Sequence, residues 1–353
     1  MKAVRFHQFG GPEVLVYEDA PKPVAGPGEI VVAVKACALN HLDLWIREGI
    51  PAYQVRLPHI SGCDVAGVVD ALGEGVTGIA PGDRVIIAPG LSCFHCPYCL
   101  SGHDNLCDTY RIFGAGTDGG YAEFTKAPAS NILPIPDGIS FEEAAAFPLT
   151  FLTAWHMLIT QSGLRRGQDL LVLAGGSGVG SAAIQIGKWV GARVIATAGT
   201  PKKLEQARQV GADFLIDYSK EDFSREVAKM TRERGVDVVF EHVGPATFSK
   251  SILSLAKNGT LVTCGATTGP KTEIDLRYVF SKELSIVGAK MGTRAELLEI
   301  VRLLGEKKLR PIIDSVHPLE RAKEVQEKMR SRDLFGKLIL KPGPPTPPGS
   351  EGD

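Results

Sequence analysis

Several features that would point directly to a function are missing from this sequence. The 353 residues carry no excess of either charge, with 39 basic and 40 acidic residues, so composition gives no electrostatic case for binding nucleic acid or an anionic membrane. The longest uncharged stretch, residues 144–164, is interrupted by Pro148 and several polar residues, whereas a membrane span needs about 20 predominantly apolar residues. The first residues alternate like a strand and lack the apolar core of a signal peptide. These absences predict a cytoplasmic protein that binds neither nucleic acid nor membrane.

Cysteine is also scarce, but four of the seven cysteines fall within fifteen residues: Cys93, Cys96, Cys99 and Cys107. Two-residue gaps let a tight turn aim several sulfurs at one point, and four thiolates saturate a tetrahedral zinc ion. Two disulfides or an iron–sulfur cluster could use the same residues, although disulfides are typical of short secreted chains. The spacing therefore favours one structural zinc ion. The other three cysteines are expected to be core thiols: Cys37, Cys63 and Cys264.

The pattern of apolar residues changes along the chain. Up to about residue 130, short apolar runs separated by Gly and Pro predict an all-β body. From about residue 141, helical patterns alternate with strands predicted at 170–174, 193–197, 214–216, 236–241, 259–265 and 284–288, which is the βαβ rhythm of a parallel sheet. Helices at 294–305 and 319–330 and a strand at 336–341 follow, and the proline-rich tail 342–353 is predicted to be disordered.

A glycine-rich turn follows the first strand of the predicted parallel sheet and precedes a helix. Its ends are Gly175 and Gly180, with Ser177 in place of the middle glycine of the usual pattern. Such glycines let the backbone approach a pyrophosphate at a helix N-terminus, where free N–H groups favour negative charge. A glycine-rich turn can also bind nothing, but the strand before it and the helix after it favour a dinucleotide site.

The second strand of this sheet bears on which dinucleotide binds. NAD sites usually have Asp or Glu at the end of that strand to bind the ribose 2′-hydroxyl. Here the strand ends at Ala198 with no acid, and Lys202 and Lys203 follow. An ammonium attracts a 2′-phosphate that a carboxylate would repel, so NADPH is the predicted cofactor. The alternative is that both lysines only solvate the next helix.

With the cysteine loop and this turn together, the chain resembles the medium-chain dehydrogenase/reductase superfamily. The supporting segments are GCDVAG (62–67), PGDRV (81–85), GGYAE (119–123), LTAW (152–155), GAD (211–213), DVVFE (237–241) and FGK (335–337). The resemblance implies an α/β protein with a GroES-like β-rich catalytic domain at 1–150 with 293–341, and a Rossmann domain with a doubly wound parallel sheet at 151–292. It also implies an active site in the cleft between them, and a homodimer or higher homo-oligomer formed through the Rossmann edge strand near 284–288.

The chain departs from the zinc alcohol dehydrogenases of this superfamily at their catalytic zinc. Asn40 stands where they have a cysteine, Cys63 and Asp64 replace a His-Glu pair, and Leu149 occupies the position of the last ligand. A catalytic zinc needs three protein ligands and an open position, so no catalytic zinc is expected. A substitute site that uses Cys63 and Asp64 with His41 or His59 is the alternative.

The pattern Leu39-Asn40 with Asp43 instead resembles the zinc-free quinone and enone reductases of the superfamily. In them, the asparagine lines the pocket beside the nicotinamide, a threonine matched by Thr153 lies against it, and residues matched by Lys203 and Tyr218 hold the NADPH 2′-phosphate. Backbone contacts to the cofactor are expected from a set in the glycine turn and after later strands: Gly175, Ser177, Gly178, Val179, Gly180, Gly244 and Gly265.

The first functional hypothesis is an NADPH-dependent reductase that delivers hydride to a quinone, an enone or another small carbonyl compound. Asn40 is the expected hydrogen-bond donor to developing oxyanion charge, and His41 or Tyr53 could supply a proton, although His41 could equally be a packed supporting residue. Asp43 is expected to fix the loop conformation. One alternative is a zinc-type alcohol dehydrogenase with unusual ligands, and another is a non-catalytic NADPH-binding sensor or structural protein.

Overall fold

The computed structural model describes residues 1–51, 53 and 55–343. The tail predicted to be disordered therefore lies outside the described residues, apart from its first two positions. The chain divides into two units, Met1–Leu149 with Arg310–Asp353, and Thr150–Leu309. The sequence interpretation grouped residues from 293 onward with the first domain, whereas the structure assigns the stretch up to Leu309 to the second unit.

The first unit is built mainly of β-structure. Its strands are β1 (Lys2–Arg5), β2 (Val16–Asp19), β3 (Glu29–Ala38), β4 (Asp64–Leu72), β5 (Arg84–Ile87), β6 (Gly90–Leu91), β7 (Arg111–Ile112), β8 (Phe124–Pro128), β9 (Ile132–Pro134), β16 (Ile313–Pro318) and β17 (Lys337–Lys341). Its helices are α1 (His41–Glu48), α2 (Pro97–Leu100), α3 (Phe141–Ala146) and α11 (Ala322–Ser331).

Its main sheet has seven strands in the order β16-β17-β3-β4-β5-β9, with β8 paired to β3. The alternation of apolar and polar residues in these strands turns one set of side chains into a common core that includes Ile30, Val32, Val65 and Leu338. The long strand β3 pairs with β17 on one side and with β4 on the other. The three strands meet where β3 ends, next to Asn40.

The second unit is a doubly wound α/β domain. Its strands are β10 (Asp169–Val172), β11 (Arg193–Ala198), β12 (Phe214–Asp217), β13 (Val236–Glu241), β14 (Leu255–Thr263) and β15 (Ser285–Gly288). Its helices are α4 (Pro148–Trp155), which begins two residues before the unit, α5 (Gly178–Val190), α6 (Pro201–Val210), α7 (Phe223–Met230), α8 (Pro245–Ser254), α9 (Leu276–Ser281) and α10 (Arg294–Gly305). A π-helical turn, His156–Gln161, follows α4.

All six strands of this sheet are parallel, in the order β12-β11-β10-β13-β14-β15. The strand order reverses between β10 and β13, and ligands of such sheets bind at the carboxyl ends of the strands beside this switch point. The predicted fold class is thus confirmed in both units. Among the described residues, no helix is both long and apolar enough to cross a bilayer.

Candidate functional site

The four clustered cysteines converge in the loop that follows β6. Their sulfur atoms all lie within 4.8 Å of one another, and Sγ of Cys93 is 3.9 Å from Sγ of Cys99. Zn–S bonds of about 2.3 Å in a tetrahedron place sulfurs about 3.8 Å apart, whereas a disulfide needs about 2.05 Å. The arrangement therefore fits a structural zinc ion. No other group of three or more His, Cys, Asp or Glu side chains within the described ranges could hold a metal.

Backbone N–H groups donate hydrogen bonds to two of these sulfurs. The backbone N–H of Cys96 donates to Sγ of Cys93 over 3.3 Å, and the N–H of Cys93 donates to Sγ of Cys107 over 3.4 Å. The Thr109 hydroxyl, with the Cys93 amide, lowers the pKa of the Cys107 thiol to about 6. A metal binds the deprotonated thiol, so the lowered pKa of Cys107 favours metal binding, whereas burial raises the pKa of the Cys99 thiol to about 12.

A second polar cluster lies at the end of β3, and Asn40 is its centre. The Asn40 side-chain Nδ2 donates to Oδ2 of Asp64 over 2.8 Å and to Sγ of Cys63 over 3.2 Å. Its Oδ1 accepts from Nζ of Lys337 over 2.6 Å. Lys337 also forms a salt bridge of 3.1 Å with Asp64, and both side chains are almost wholly buried. Oδ1 of Asp64 accepts from the backbone N–H of Leu149 over 3.0 Å.

Neither Cys63 nor Asp64 offers a charged, unpaired ligand atom in this cluster. Burial, together with the charges of Asp64 and Asp43, raises the pKa of the Cys63 thiol well above its ordinary value. Cys63 is therefore a neutral thiol near pH 7, and the Asp64 carboxylate is already paired with an ammonium ion. The ligand atoms of the alternative metal site, Cys63 and Asp64 with His41 or His59, do not lie close enough together in the described residues to share a metal ion. The His59 ring instead contacts the Gly114 carbonyl over 3.0 Å.

Asp43 holds the loop that carries Asn40. Its Oδ2 accepts from the Asn40 backbone N–H over 2.8 Å, which caps the N-terminus of α1, and from the Tyr121 hydroxyl over 3.1 Å. Its Oδ1 accepts from the Gly62 N–H over 3.1 Å, which ties α1 to the start of β4. Burial raises the pKa of Asp43 to about 6, while the Asn40 amide, Lys337 and Tyr121 favour the charged form.

The two expected proton donors lie at the edge of this cluster. His41 is the first residue of α1, and its ring centroid is 6.5 Å from that of Trp45. Tyr53 is half-buried and packs against the apolar cluster that contains Cys63. Burial, with a smaller contribution from Cys63, raises the pKa of Tyr53, so its hydroxyl stays protonated at neutral pH.

The glycine turn of the second unit, which was predicted to bind a pyrophosphate, leads directly into α5. Ser177 is the N-cap of α5, and its hydroxyl accepts from the Gly180 N–H over 3.0 Å. A Cβ on Gly180 would lie 2.4 Å from the carbonyl oxygen of Ala174, so only glycine fits this close approach of helix and strand. The N–H groups of Gly178 and Val179, in the first turn of the helix, have no intrahelical acceptor and can bind an anion.

A buried carboxylate shapes the neighbouring turn, which follows β13. Oε1 of Glu241 accepts from the N–H groups of Val243 and Gly244, and Oε2 accepts from the hydroxyls of Thr247 and Ser251 over 2.8 and 3.0 Å. Gly244 has a φ of +94°, which favours glycine. Of the other residues expected at the cofactor, Gly265 follows β14, and Thr153 is buried on α4.

The residues expected to select the cofactor lie after β11 and after the adjacent strand β12. Tyr218 packs its phenol against Gly199, where a Cβ would lie 2.7 Å from the hydroxyl oxygen. Lys203 is in the first turn of α6, whose N-cap is Thr200. The structure adds Asp217, which pairs with Ala198 on the adjacent strand and accepts from the Ser219 hydroxyl over 2.5 Å. An acid next to Ala198 was not expected, because it comes from a strand nineteen residues later.

Sequence reasoning also missed Lys337 as a member of the Asn40 cluster and Tyr121 as a partner of Asp43. Both lie in segments that were used only to recognise the superfamily. The available signal for Lys337 was its place at the start of a strand whose next residues are apolar. No local pattern connects it with Asn40, which is 297 positions away.

Comparisons with known proteins agree with this architecture. Residues 26–137 match the family "Alcohol dehydrogenase GroES-like domain", and residues 178–306 match "Zinc-binding dehydrogenase". An alcohol dehydrogenase of Geobacillus stearothermophilus is 34% identical over 97% of this chain and 99% of its own length. A quinone oxidoreductase of Homo sapiens is 29% identical over 96% of this chain and 97% of its own.

Among solved structures, one described as an NAD-dependent alcohol dehydrogenase is 47% identical, with a TM-score of 0.94 over 97% of this chain and all of that one. The two relatives and this solved structure each cover both units of the chain, whereas each family match covers one unit.

Proposed function

The chain belongs to the medium-chain dehydrogenase/reductase superfamily and is an oxidoreductase, and from this premise we propose that it transfers hydride from NADPH to a small carbonyl compound without a catalytic zinc ion. The observation that carries the proposal is the bonding of Lys337 to both Asn40 and Asp64. A second metal ion would need the polar side-chain atoms of Asn40, Cys63 and Asp64. These atoms are already bonded to one another or to Lys337. The candidate substrates are quinones, enones and aldehydes.

The roles of the residues follow from their contacts. The turn from Gly175 to Gly180 binds the pyrophosphate, and Glu241 holds the turn at Gly244 beside it. When bound, the nicotinamide supplies the hydride. Both hydrogens of the Asn40 amide face protein acceptors, so Asn40 can donate to a substrate oxygen only if one of these bonds is released. The protonated hydroxyl of Tyr53 is the preferred proton source.

The preference for NADPH is supported by Lys203 in the first turn of α6, by Tyr218 directly after β12, and by the absence of an acid directly after Ala198 at the end of β11. Two findings weigh toward NAD: Asp217 lies beside Ala198, and the relative that is 47% identical is described as NAD-dependent. We retain NADPH because Asp217 already accepts from Ser219 and lies 3.4 Å from Nζ of Lys220.

The experiment that tests this proposal measures oxidation of NADPH and of NADH against a panel of quinones, enones and aldehydes, with zinc quantified in the same preparation. One zinc ion per chain and faster turnover with NADPH support the proposal. Turnover that requires a second zinc ion contradicts it.

A zinc-type alcohol dehydrogenase with unusual ligands is the second candidate, and the comparisons favour it more than they favour a quinone reductase. Both the 47% and the 34% identical relatives are alcohol dehydrogenases. A second zinc ion would have to bind Cys63 and Asp64, which requires loss of a thiol proton and displacement of Lys337. Oxidation of simple alcohols with two zinc ions per chain would establish this candidate.

We also propose that the enzyme is a homodimer formed through the edge strand β15. Within the part of the chain that the structure describes, this strand has a neighbour, β14, on one side only. Apolar side chains nearby are exposed, including Leu276 at 68%, Phe280 at 71% and Ile286 at 38%. An exposed edge strand beside an apolar patch is a surface suited to pairing with a second copy.

A further inference from the structure

Lys337 is a buried cation whose position is set by the sheet. Strand β17 pairs antiparallel with β3, with Ile339 opposite Ala38, and the N–H of Leu39 donates to the carbonyl of Leu338. Continuing this register brings Lys337 level with Asn40, just beyond the end of β3. The side chain is only 4% exposed, and a buried ammonium is tolerated when it is paired and hydrogen-bonded.

The contacts of Lys337 determine how the Asn40 amide is oriented. An ammonium ion has three donors and no acceptor, whereas an amide has an acceptor on one side and donors on the other. Because Nζ of Lys337 lies 2.6 Å from the Asn40 side chain, the oxygen of that amide must face it. The Nδ2 group must then face Cys63 and Asp64, and a rotated amide would place two donors against each other.

We propose that Lys337 is a positioning residue for hydride transfer, whose ammonium fixes the Asn40 amide and the Asp64 carboxylate in a single arrangement. It forms the salt bridge with Asp64 and donates to the Asn40 side-chain oxygen. The effect on turnover rests on the proposed function, whereas the orientation of Asn40 does not depend on it.

Kinetics with three variants separates positioning from a purely structural role. Lys337→Met removes the charge but keeps most of the volume, Lys337→Arg keeps the charge, and Lys337→Met with Asp64→Asn removes both charges. We expect Lys337→Met to lower Tm and to lower kcat about 100-fold, since a displaced group in an active site can cost that much. Lys337→Arg should restore part of kcat. The double variant should recover Tm, because no buried charge is left unpaired, but not kcat.

The opposite results would overturn the proposal. They are a kcat for Lys337→Met within twofold of the wild type, or recovery of kcat together with Tm in the double variant. A rise in the KM for NADPH with unchanged kcat would also overturn it, because Lys337 would then be a cofactor-binding residue.

The orientation of Asn40 can be observed without any assay of activity. The chain has four asparagines, Asn40, Asn105, Asn131 and Asn258, so protein labelled with ¹⁵N in asparagine side chains gives four amide pairs. Asn40→Asp assigns the pair of interest. We expect its hydrogens to exchange slowly with solvent in the wild type and at least tenfold faster in Lys337→Met, with the other three pairs unchanged. Equal exchange in the two proteins would overturn the proposal even if the enzyme reduces carbonyl compounds. Loss of protection would support it even if no substrate is found.

Discussion

The hydroxyl of Tyr121 donates to Oδ2 of Asp43 over 3.1 Å and joins two buried side chains that are 78 positions apart. The same oxygen accepts from the backbone N–H of Asn40. Asp43 therefore needs its negative charge to hold the start of α1. Its pKa, which burial raises to about 6, places the loss of that charge near the physiological range.

We predict that kcat falls as the pH drops below about 6, because protonation of Asp43 turns an acceptor into a donor and loosens Asn40. Replacing Tyr121 with Phe removes a group that favours the charged form, which raises the pKa of Asp43 and should move this acidic limb to higher pH. The measurement is the pH dependence of kcat in both proteins. Tyr17→Phe, at an exposed tyrosine of the same unit, is the control. If the acidic limb of the kcat–pH curve lay at the same pH in Tyr121→Phe as in the wild type, the assignment of that limb to Asp43 would be wrong.

The zinc loop gives a second prediction. Cys96→Ser should lose the zinc ion and lower Tm, because metal binding contributes directly to the folding of the loop. Metal quantification and thermal unfolding are the measurements. Cys264→Ser makes the same chemical change outside the loop and should keep one zinc ion per chain. Recovery of the four loop cysteines as two disulfides in freshly purified, reduced protein would refute the zinc site.

The cofactor preference can be tested by a change of charge at the end of β11. Ala198→Asp should weaken NADPH binding and spare NADH, because a carboxylate repels the 2′-phosphate and accepts from the 2′-hydroxyl. Lys203→Ala should weaken NADPH more than NADH, whereas Lys229→Ala, at an exposed lysine on α7, should change neither. The dissociation constants follow from cofactor fluorescence. Equal or tighter binding of NADH by the wild type would reverse the assignment.

Activity should also not depend on a metal ion bound in the cluster around Asn40. Chelation mild enough to leave the four-thiolate site loaded should leave kcat unchanged. Asn40→Ala should lower kcat by about 10²–10³ if the amide stabilises developing charge. Converting Asn40 to Cys and Cys63 to His should not create an alcohol dehydrogenase, because Leu149 offers no third ligand. Removal by the chelator of a second zinc ion along with alcohol oxidation would favour the second candidate function.

The parts of the fold that were predictable from the sequence are those governed by local pattern. Helix α10 lies at residues 294–305 as predicted, because its capping box, Thr293 with Glu296, and its apolar periodicity are local signals. Strand β16 (Ile313–Pro318) was missed, because its side chains alternate between half-buried and exposed with few large apolar groups. The assignment of residues 294–309 to a unit depends on distant packing, which no local pattern reveals.

The candidate site divides in the same way. The cysteine loop and the turn around Ser177 each occupy a short stretch, so spacing alone identifies them. Asn40 and Asp43 were recognised only through resemblance. Their partners could not be found, because Tyr121 and Lys337 reach them through the pairing of strands far apart in sequence.

The proposed dimer surface gives the last prediction. Phe280→Asp together with Ile286→Asp should convert a dimer to a monomer, because two charges would be buried where each copy now offers an exposed apolar side chain. The mass in solution, measured by sedimentation or light scattering, reports the change. Val24→Asp alters an 82% exposed apolar residue of the first unit and should leave the mass unchanged. A wild type that is monomeric at micromolar concentration, or a double variant that remains dimeric, would show that the copies do not associate through this edge.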